Sequence, residues 1–341
     1  MVDLTIDTEA TRRTLIKFIQ EVVNQAGYQR GVVNLSGGID SALACSLASE
    51  ALGAQNVLAV RLPYRSSSPD SLEHAQLVID ALGVQSITLP ITEMVEPLFE
   101  RFPDMSQVRR GNAMARTRMI MLYDQSEAFH GLPIGTGNKT EILLGYTTIY
   151  GDSACALNPL GDLYKTQVRQ LALAVGVPEP ILRKPPSADL WQGQTDEDEL
   201  GFTYAEVDPL LYLLVDQQRT PAECIQAGFA ESLVKRVVER MRRACRQRDG
   251  FRPQSGKQLG ARVLGGRGRD RHECRGDGQD RLRGGAAGAI DVGPDDDVAA
   301  DDAPLREARA DRAHAVPELP EGHRRTAGGA ERGCVGLDRC P

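Results

Sequence analysis

The sequence predicts an α/β fold with a doubly wound, mostly parallel sheet. Apolar runs of strand length alternate with helical patterns along the first half of the chain, and the links between them are short. Two of the predicted strands run directly into glycine-rich turns that precede a helix. Ligands of such sheets bind beyond the carboxyl ends of the strands, so both turns are candidate functional sites.

The predicted strands are short and mostly apolar, as is typical of buried parallel strands. They lie at residues 31–35, 56–63, 84–89 and 132–135. Arg61 occupies the carboxyl end of the second strand, where this fold class places its ligands. A solvated strand end is the alternative interpretation of this arginine.

The predicted helices follow from apolar spacing and from stop signals. Residues 8–26 carry an amphipathic pattern that ends at a glycine. Residues 109–126 combine an apolar stripe with arginines beside it, whereas the prolines at 185–186 and the acidic run at 192–199 indicate loops. The other predicted helices lie at residues 42–48, 70–82, 92–101, 166–175, 205–218 and 230–245.

The composition changes after about residue 248. Residues 251–341 hold 16 of the 34 glycines but few aliphatic side chains, and Phe251 is their only aromatic residue. So little apolar content does not support a packed core. We therefore expect one globular domain at 1–248 and a low-complexity, disordered tail at 249–341. The tail resembles the product of a shifted reading frame, a hypothesis that an intact mass near 37.1 kDa for the native protein would contradict.

The sequence Ser-Gly-Gly-Ile-Asp-Ser at 36–41 lies between the first strand and its helix. Adjacent glycines let successive backbone N–H groups turn toward one point, and the helix N-terminus behind them favours an anion. Phosphate is the expected ligand, with Ser36 and Ser41 as hydroxyl donors. Asp40 fits such a site when it holds a metal ion that accompanies the phosphates. The Gly-Lys-Ser/Thr ending of a Walker A loop is absent. A turn that is merely rich in glycine and serine is the alternative.

The net charge and the cysteines narrow the function classes. The formal net charge is −7, which argues against general nucleic-acid binding. The seven cysteines include no CxxC pair, and neither a signal peptide nor an apolar run of membrane-spanning length occurs. We therefore expect a cytoplasmic protein that binds neither nucleic acid nor membranes.

A series of motifs resembles, in order, those of NAD⁺ synthetases, a family of N-type ATP pyrophosphatases. They are SGGIDS at 36–41, RLPY at 61–64, ARTRM at 115–119, GTGNKTE at 135–141, GYTTIYGD at 145–152, LYK at 163–165, PPSADL at 185–190 and QTDEDELG at 194–201. The resemblance covers about residues 8–245 and implies a Rossmann-like ATP pyrophosphatase fold. It also implies a C–N bond-forming ligase of NAD⁺ biosynthesis. In this reaction ATP adenylates the carboxylate of deamido-NAD⁺ with release of pyrophosphate, and ammonia then displaces AMP.

The resemblance further implies roles for individual residues. Asp40 and Glu141 match Mg²⁺ ligands. Asp152, Lys165 and Ser41 are implied as catalytic residues, Asp152 as the group that binds ammonium and accepts its proton. The implied ATP contacts are Ser36, Gly37, Gly38, Asp40, Ser41, Arg61, Thr136, Lys165 and Ser187. The implied deamido-NAD⁺ contacts are Arg116, Asn112 and Asp152. A structural aspartate in a glycine-containing turn is the alternative for Asp152.

The resemblance implies a homodimer, with the helix at 109–126 as an interface element. Only about 30 residues precede the phosphate loop, so we do not expect the amidase domain of glutamine-using relatives. Free ammonia, or ammonia from a separate glutaminase subunit, is then implied. Ile149 stands where one branch of the family has lysine, and the resemblance ends near residue 245.

Two alternatives stay open. Another ATP pyrophosphatase, such as an amidating or tRNA-modifying enzyme, would share the serine–glycine loop but is not expected to carry GTGNKTE followed by GYTTIYGD. An ATP-binding protein inactivated by its altered C-terminus would retain Asp40, Glu141 and Lys165. ATP binding without turnover would identify that case.

Overall fold

The computed structural model of the chain describes residues 2–187, 189–191 and 193–250, with side chains up to residue 246. The tail predicted at 249–341 lies outside these residues, apart from its first two positions, which end the last helix. The domain boundary near residue 248 therefore stays a prediction.

A four-stranded parallel sheet forms the centre of the fold, with the strand order β3-β2-β1-β4. The strands are β1 (Gly31–Asn34), β2 (Val57–Arg61), β3 (Gln85–Thr88) and β4 (Leu132–Ile134). The chain steps from β1 to β2 to β3 on one side and then returns to place β4 on the other side of β1. The strand order thus reverses between β1 and β4, and ligands of open α/β sheets bind at such a switch point. The predicted doubly wound parallel sheet is confirmed.

Helices cover both faces of the sheet. They are α1 (Thr8–Gln25), α2 (Ile39–Leu52), α3 (Pro69–Leu82), α4 (Thr92–Arg101), α5 (Gln107–Phe129), α6 (Lys139–Leu144), α7 (Lys165–Ala174), α8 (Glu179–Arg183), α9 (Asp196–Leu200), α10 (Tyr204–Leu211), α11 (Pro221–Gln226) and α12 (Glu231–Gly250). Because side chains alternate along a strand, Val33 and Val32 of β1 enter different cores. Val33 packs with α1, α2, α3 and α7, whereas Val32 packs with α4 and α5. A third apolar cluster lies around α10 and α12, with Val207 and Val237 fully buried.

Two secondary-structure predictions were wrong in part. The acidic run at 192–199 was expected to be a loop, but α9 begins at Asp196 because the Thr195 side chain caps it and acidic residues suit the first turn of a helix. The helix expected at 205–218 ends as α10 at Leu211 and continues as a π-helical turn, Tyr212–Asp216. None of the described helices is long and apolar enough to cross a membrane.

Candidate active site

The serine–glycine loop lies at the switch point, between β1 and the first turn of α2. Gly37 has φ +79°, and a Cβ atom there would lie 2.1 Å from the backbone oxygen of Ser71. Both the conformation and the close approach therefore require glycine. Ser36 and Ser41 face each other with their hydroxyl oxygens 3.1 Å apart, and the Ser41 hydroxyl also donates to the Gly38 carbonyl. The loop is held in shape by its own serines before any ligand arrives.

The second strand–turn–helix junction, between β4 and α6, lies beside the first. Asn138 is fully buried and caps α6, since its side-chain oxygen accepts a hydrogen bond from the Glu141 N–H. Its amide nitrogen donates to Asp40 Oδ1 over 2.9 Å. Asn138 therefore joins the two junctions, so the two glycine-rich turns lie side by side at the carboxyl edge of the sheet.

Lys165 connects the same two junctions from a third helix. Its Nζ lies 2.5 Å from Asp40 Oδ2 and 3.1 Å from Glu141 Oε1, and its side chain is 3% exposed. Burial opposes the charge on the ammonium group, but the two carboxylates outweigh burial and raise the pKa of Lys165. The Tyr204 ring lies 5.2 Å from Nζ and adds a favourable cation–π contact.

Further buried carboxylates surround this lysine. Burial raises the pKa of Glu141 to about 7, although the attraction of Lys165 lowers it. Burial likewise raises the pKa of Asp196, whose Oδ2 accepts from the Tyr204 hydroxyl and whose Oδ1 has no partner among the described residues. Asp208 bonds Thr140 and thereby ties α10 to α6. Negative charge exceeds positive charge here, an environment that favours an added cation.

Asp40 and Glu141 have the chemistry of a magnesium site. Mg²⁺ is usually held by one or two protein carboxylates together with phosphate oxygens and water. Both carboxylates already share one cation, the ammonium group of Lys165, so their oxygens point toward a common position. Within the described part of the chain, no group of three or more histidine, cysteine or acidic side chains is arranged to hold an ion. A magnesium ion would therefore need oxygen ligands from the substrate, and the residues present fit that arrangement.

Asp152 lies in the loop after α6, on the side of the cavity that α5 covers. Its Oδ1 accepts a hydrogen bond from the Thr148 N–H over 2.7 Å, and the Thr148 hydroxyl bonds Asn112 of α5 over 2.9 Å. The carboxylate opens onto the cavity and remains exposed. The protein atoms packed around the carboxyl group reduce its solvation and raise the pKa of Asp152. The Thr148 hydrogen bond and the charge of Arg118 lower this pKa by less. Asp152 is hydrogen-bonded, as expected for a structural aspartate in a turn. It is also accessible from the cavity, as expected for a catalytic residue.

A single cavity of about 370 Å³ connects most of the residues that the sequence analysis selected. The predicted residues that line it are Ser36, Gly38, Asp40, Ser41, Arg61, Asn112, Thr136, Glu141, Asp152, Lys165 and Ser187. Gly37 instead packs against Ser71 behind the loop. Arg116 lies on the exposed face of α5, where its Nε donates to the Ile149 carbonyl. Its predicted contact with deamido-NAD⁺ stays a prediction.

Some residues of the cavity and its frame are not among the candidates predicted from the sequence. Asn138 was within the quoted GTGNKTE motif, and its spacing to Glu141 is a helix-capping signal. Arg118 was in the ARTRM motif and lines the cavity. Lys184 and Asp189 also line it, and both bond Ser71 of α3. No sequence signal pairs these last two with α3, because the contacts join segments more than 110 residues apart.

The parallel α/β sheet carries a serine–glycine loop at its switch point, and a buried lysine lies between two carboxylates in the same cavity. These features define a nucleotide-using enzyme of the ATP pyrophosphatase class. The sequence profile described as NAD synthase matches residues 11–249. The chain belongs to the NAD synthase family.

Relatives and solved structures agree with that assignment. The chain is 56% identical over 238 residues to an NH(3)-dependent NAD(+) synthetase of Trichlorobacter lovleyi, covering 70% of this chain and 87% of the relative. An NMN synthetase structure from Francisella tularensis is 33% identical, with a TM-score of 0.64 and coverage of 72% and 97% of the two chains. An NH3-dependent NAD synthetase from Campylobacter jejuni, in complex with the nitrate ion, is 33% identical, with a TM-score of 0.62 and coverage of 73% and 99%.

Proposed function

We propose that this protein is an ammonia-dependent NAD⁺ synthase, a ligase that converts deamido-NAD⁺, ATP and ammonia into NAD⁺, AMP and pyrophosphate. One observation carries the proposal beyond family membership. The Lys165 ammonium group, Asp40, Glu141 and the serine–glycine loop meet at the switch point of the sheet and line one cavity with Asp152. A phosphate-binding corner and a second corner for the acid to be amidated are what the reaction requires.

In the first step the carboxylate of deamido-NAD⁺ attacks the α-phosphate of ATP, and the bond from the α-phosphate to the leaving pyrophosphate breaks. A carboxylate is a poor electrophile until its oxygen becomes part of a good leaving group. Charge moves onto the pyrophosphate, which the loop N–H groups and the hydroxyls of Ser36 and Ser41 are placed to stabilise. Lys165 adds positive charge at that corner, and Arg61, Thr136 and Ser187 line the cavity as further ATP contacts.

In the second step ammonia attacks the acyl carbon of the adenylate and AMP leaves. Ammonium predominates at neutral pH, so a base must take one of its protons before the attack. We assign that task to Asp152, with Asn112 and Arg116 as contacts of the dinucleotide. Asp152 must be ionised to act, and its raised pKa moves it toward a better proton acceptor.

Asp40 and Glu141 would hold Mg²⁺ together with the phosphates of ATP. When bound, the ion supplies charge neutralisation on the leaving pyrophosphate. The excess of buried carboxylates around Lys165 supports this assignment. We also propose a homodimer that contacts its partner through α5, because Ile120 and Tyr123, neighbours on one face of that helix, are 55% and 41% exposed and lie outside the cavity. Such a protein would work in the cytoplasm, where ATP is supplied.

An endpoint assay tests the proposal. The purified full chain is mixed with ATP, Mg²⁺, deamido-NAD⁺ and ammonium, and NAD⁺ and AMP are measured. We expect the two products in equal amounts, and no AMP when deamido-NAD⁺ is left out. Glutamine in place of ammonium is expected to give no product unless a separate glutaminase subunit is added. ATP binding without AMP formation would contradict the proposal and identify an inactive ATP-binding protein.

A parallel assay defines the substrate. One structural neighbour is titled an NMN synthetase, so nicotinate mononucleotide is tested beside deamido-NAD⁺. We expect the higher kcat/KM with deamido-NAD⁺, because the relative reported above at 56% identity is named an NAD(+) synthetase. A higher kcat/KM with the mononucleotide would reassign the substrate while leaving the chemistry unchanged.

A further inference from the structure

Arg118 is a cation in the cavity wall that has no anionic partner. Its Nε donates to the Leu62 carbonyl over 3.0 Å, which fixes the guanidinium at the carboxyl end of β2. No carboxylate of the described residues forms an ion pair with it. Burial lowers its pKa, yet a guanidinium stays charged at any physiological pH. Arg118 is partly buried, and a charge withdrawn from water without an anionic partner is costly, so a ligand is expected to supply the missing anion.

The nearest acidic groups act on Arg118 only at longer range. Asp189 and Asp152 both favour its charged form. The Asp189 carboxylate is occupied by the Ser68 N–H and the Ser71 hydroxyl. The Asp152 carboxylate accepts from the Thr148 N–H. Both aspartates are held by other donors, so the terminal nitrogens of Arg118 remain available to an anion in the cavity.

The helix face around Arg118 suits an aromatic acid. The α5 residues that line the cavity recur at helical spacing, namely Val108, Asn112, Ala115, Arg118, Met119 and Leu122. Most of this face is apolar and can pack against a ring, while Arg118 offers a planar fork of donors that matches a carboxylate. Arg116 lies on the opposite, exposed face of the helix. The phosphate corner, by contrast, is built from the ends of β1 and β4 and the first turns of α2, α6 and α7.

We propose that Arg118 binds the ring carboxylate of the substrate and thereby distinguishes the acid that enters from the amide that leaves. This inference rests on the proposed function. The carboxylate pairs with Arg118 before adenylation. Adenylation removes the carboxylate charge, and the neutral amide that ammonia then forms cannot restore that ion pair, whereas Asp152 can accept a hydrogen bond from the new NH₂ group. Loss of one charge-assisted interaction on completion of the reaction favours product release.

The test compares two ligands that differ only at this group. Dissociation constants of deamido-NAD⁺ and of NAD⁺ are measured by calorimetry on the full chain and on Arg118→Met. We expect the substitution to weaken deamido-NAD⁺ binding about 10- to 100-fold, the range of a hydrogen-bonded charge pair, and NAD⁺ binding less than about 3-fold. Arg118→Lys keeps the charge without the fork and is expected to fall between the two. If Arg118→Met does not fold, the ratio measured on Arg118→Lys decides the question.

Arg110→Met is the matched control, because Arg110 lies on the same helix and its Nε also donates to a backbone carbonyl, that of Met105. It stacks on Phe99 and does not line the cavity. We expect this variant to leave the ratio of the two constants unchanged.

Three outcomes would overturn the inference. Equal weakening of both ligands by Arg118→Met would assign Arg118 a structural role. Unchanged dissociation constants for both ligands would show that it does not contact the carboxylate, and a selective rise in the KM for ATP would assign it to a phosphate. Failure of the proposed function is recognised separately, since the unsubstituted chain would then form no NAD⁺ from deamido-NAD⁺.

Discussion

The two sides of the cavity are built in different ways. The phosphate side consists of strand ends and the first turns of α2, α6 and α7, and its key side chains are buried, with Lys165 3% and Asn138 0% exposed. The opposite wall, the described residues 184–187, 189–191 and 193–194, is mainly loop, attached to α3 by the side chains of Lys184 and Asp189. Asp189 has φ +49°, an uncommon conformation for a residue other than glycine. The proposed phosphate site is thus framed by helices and strand ends, whereas a loop that is bonded to α3 forms the other wall of the cavity.

This difference predicts which changes affect stability and activity together. On the phosphate side the contacts that hold the fold are made by the residues proposed to act in the reaction, so substitutions there should reduce both stability and activity. In the wall the contacts are few and partly exposed, so substitutions should change substrate binding while the free energy of unfolding stays nearly constant.

The largest effect is expected for Lys165→Met. The substitution leaves Asp40 and Glu141 buried without their cation, which should cost about 3–5 kcal/mol in the free energy of unfolding. It also removes a charge that stabilises the leaving pyrophosphate, and kcat should fall about 10²- to 10³-fold. Denaturant unfolding and the NAD⁺ assay measure the two effects.

Lys139→Met is the control for that prediction. Lys139 also begins a helix, pairs with Asp216 over 2.7 Å, and is 18% exposed, but it does not line the cavity. We expect a loss of under about 1 kcal/mol, as for other partly exposed ion pairs, and little change in kcat. A comparable loss of activity in both variants would contradict the assignment of Lys165 to the reaction.

The second prediction concerns the contact between the phosphate loop and α3. Gly37→Ala introduces a Cβ atom 2.1 Å from the Ser71 oxygen at φ +79°, so the loop and α3 must separate. We expect a loss of about 2–4 kcal/mol, from backbone strain and overpacking together, and weaker ATP binding. Gly27→Ala is the control, since it has φ +80° and nothing within 4 Å.

Gly27→Ala should cost only the conformational part, about 1–2 kcal/mol, and leave ATP binding unchanged. Equal losses in the two variants would mean that the loop adjusts without moving α3. Unfolding in urea and titration with an ATP analogue separate the cases.

The sequence predicts the phosphate side of the cavity better than it predicts the loop wall. The sheet, the phosphate loop and the placement of Asp40, Glu141 and Lys165 in one site follow from local patterns and motif order, because strand ends of a parallel sheet meet at one edge. The sequence does not predict whether Arg116 or Arg118 faces the cavity. Both arginines flank the apolar stripe of α5, and only packing against β2 decides which one faces the cavity. The Asp189 contacts are also unpredictable, because they depend on the path of a loop.

The third prediction is a pH dependence of stability from Glu141. Burial raises its pKa from 4.5 to about 7, so the folded state binds a proton that the unfolded state has released at intermediate pH. The contribution of this group is therefore present below about pH 4.5 and is lost as pH rises through about 7. At about 1.4 kcal/mol per pKa unit, the loss is at most about 3 kcal/mol.

Glu141→Gln removes the titration while keeping the shape of the side chain. The stability of the unsubstituted chain, measured by thermal unfolding without ligand, should fall relative to that of the variant between pH 5 and 8. Parallel pH profiles for the two proteins would show that Lys165 and Glu141 remain a fully ionised pair. Glu141 would then not take up a proton in this pH range, and the prediction would be wrong.

The smallest effect on stability, and a selective effect on binding, is expected for Asp189→Asn. The Asp189 carboxylate accepts from Ser68 N and Ser71 Oγ at 2.9–3.2 Å, and asparagine retains only one acceptor oxygen. The wall should then leave α3 more often, because the remaining contacts, such as that of Lys184 with Ser71, are single hydrogen bonds. We expect the KM for ATP to rise about 10-fold, the equivalent of about 1.4 kcal/mol, with under about 1 kcal/mol lost in unfolding. Asp198→Asn, an exposed residue of the adjoining α9 outside the cavity, should change neither value. If Asp189→Asn lowered stability as much as Lys165→Met, the wall would belong to the rigid frame, and the distinction between the two sides of the cavity would be wrong.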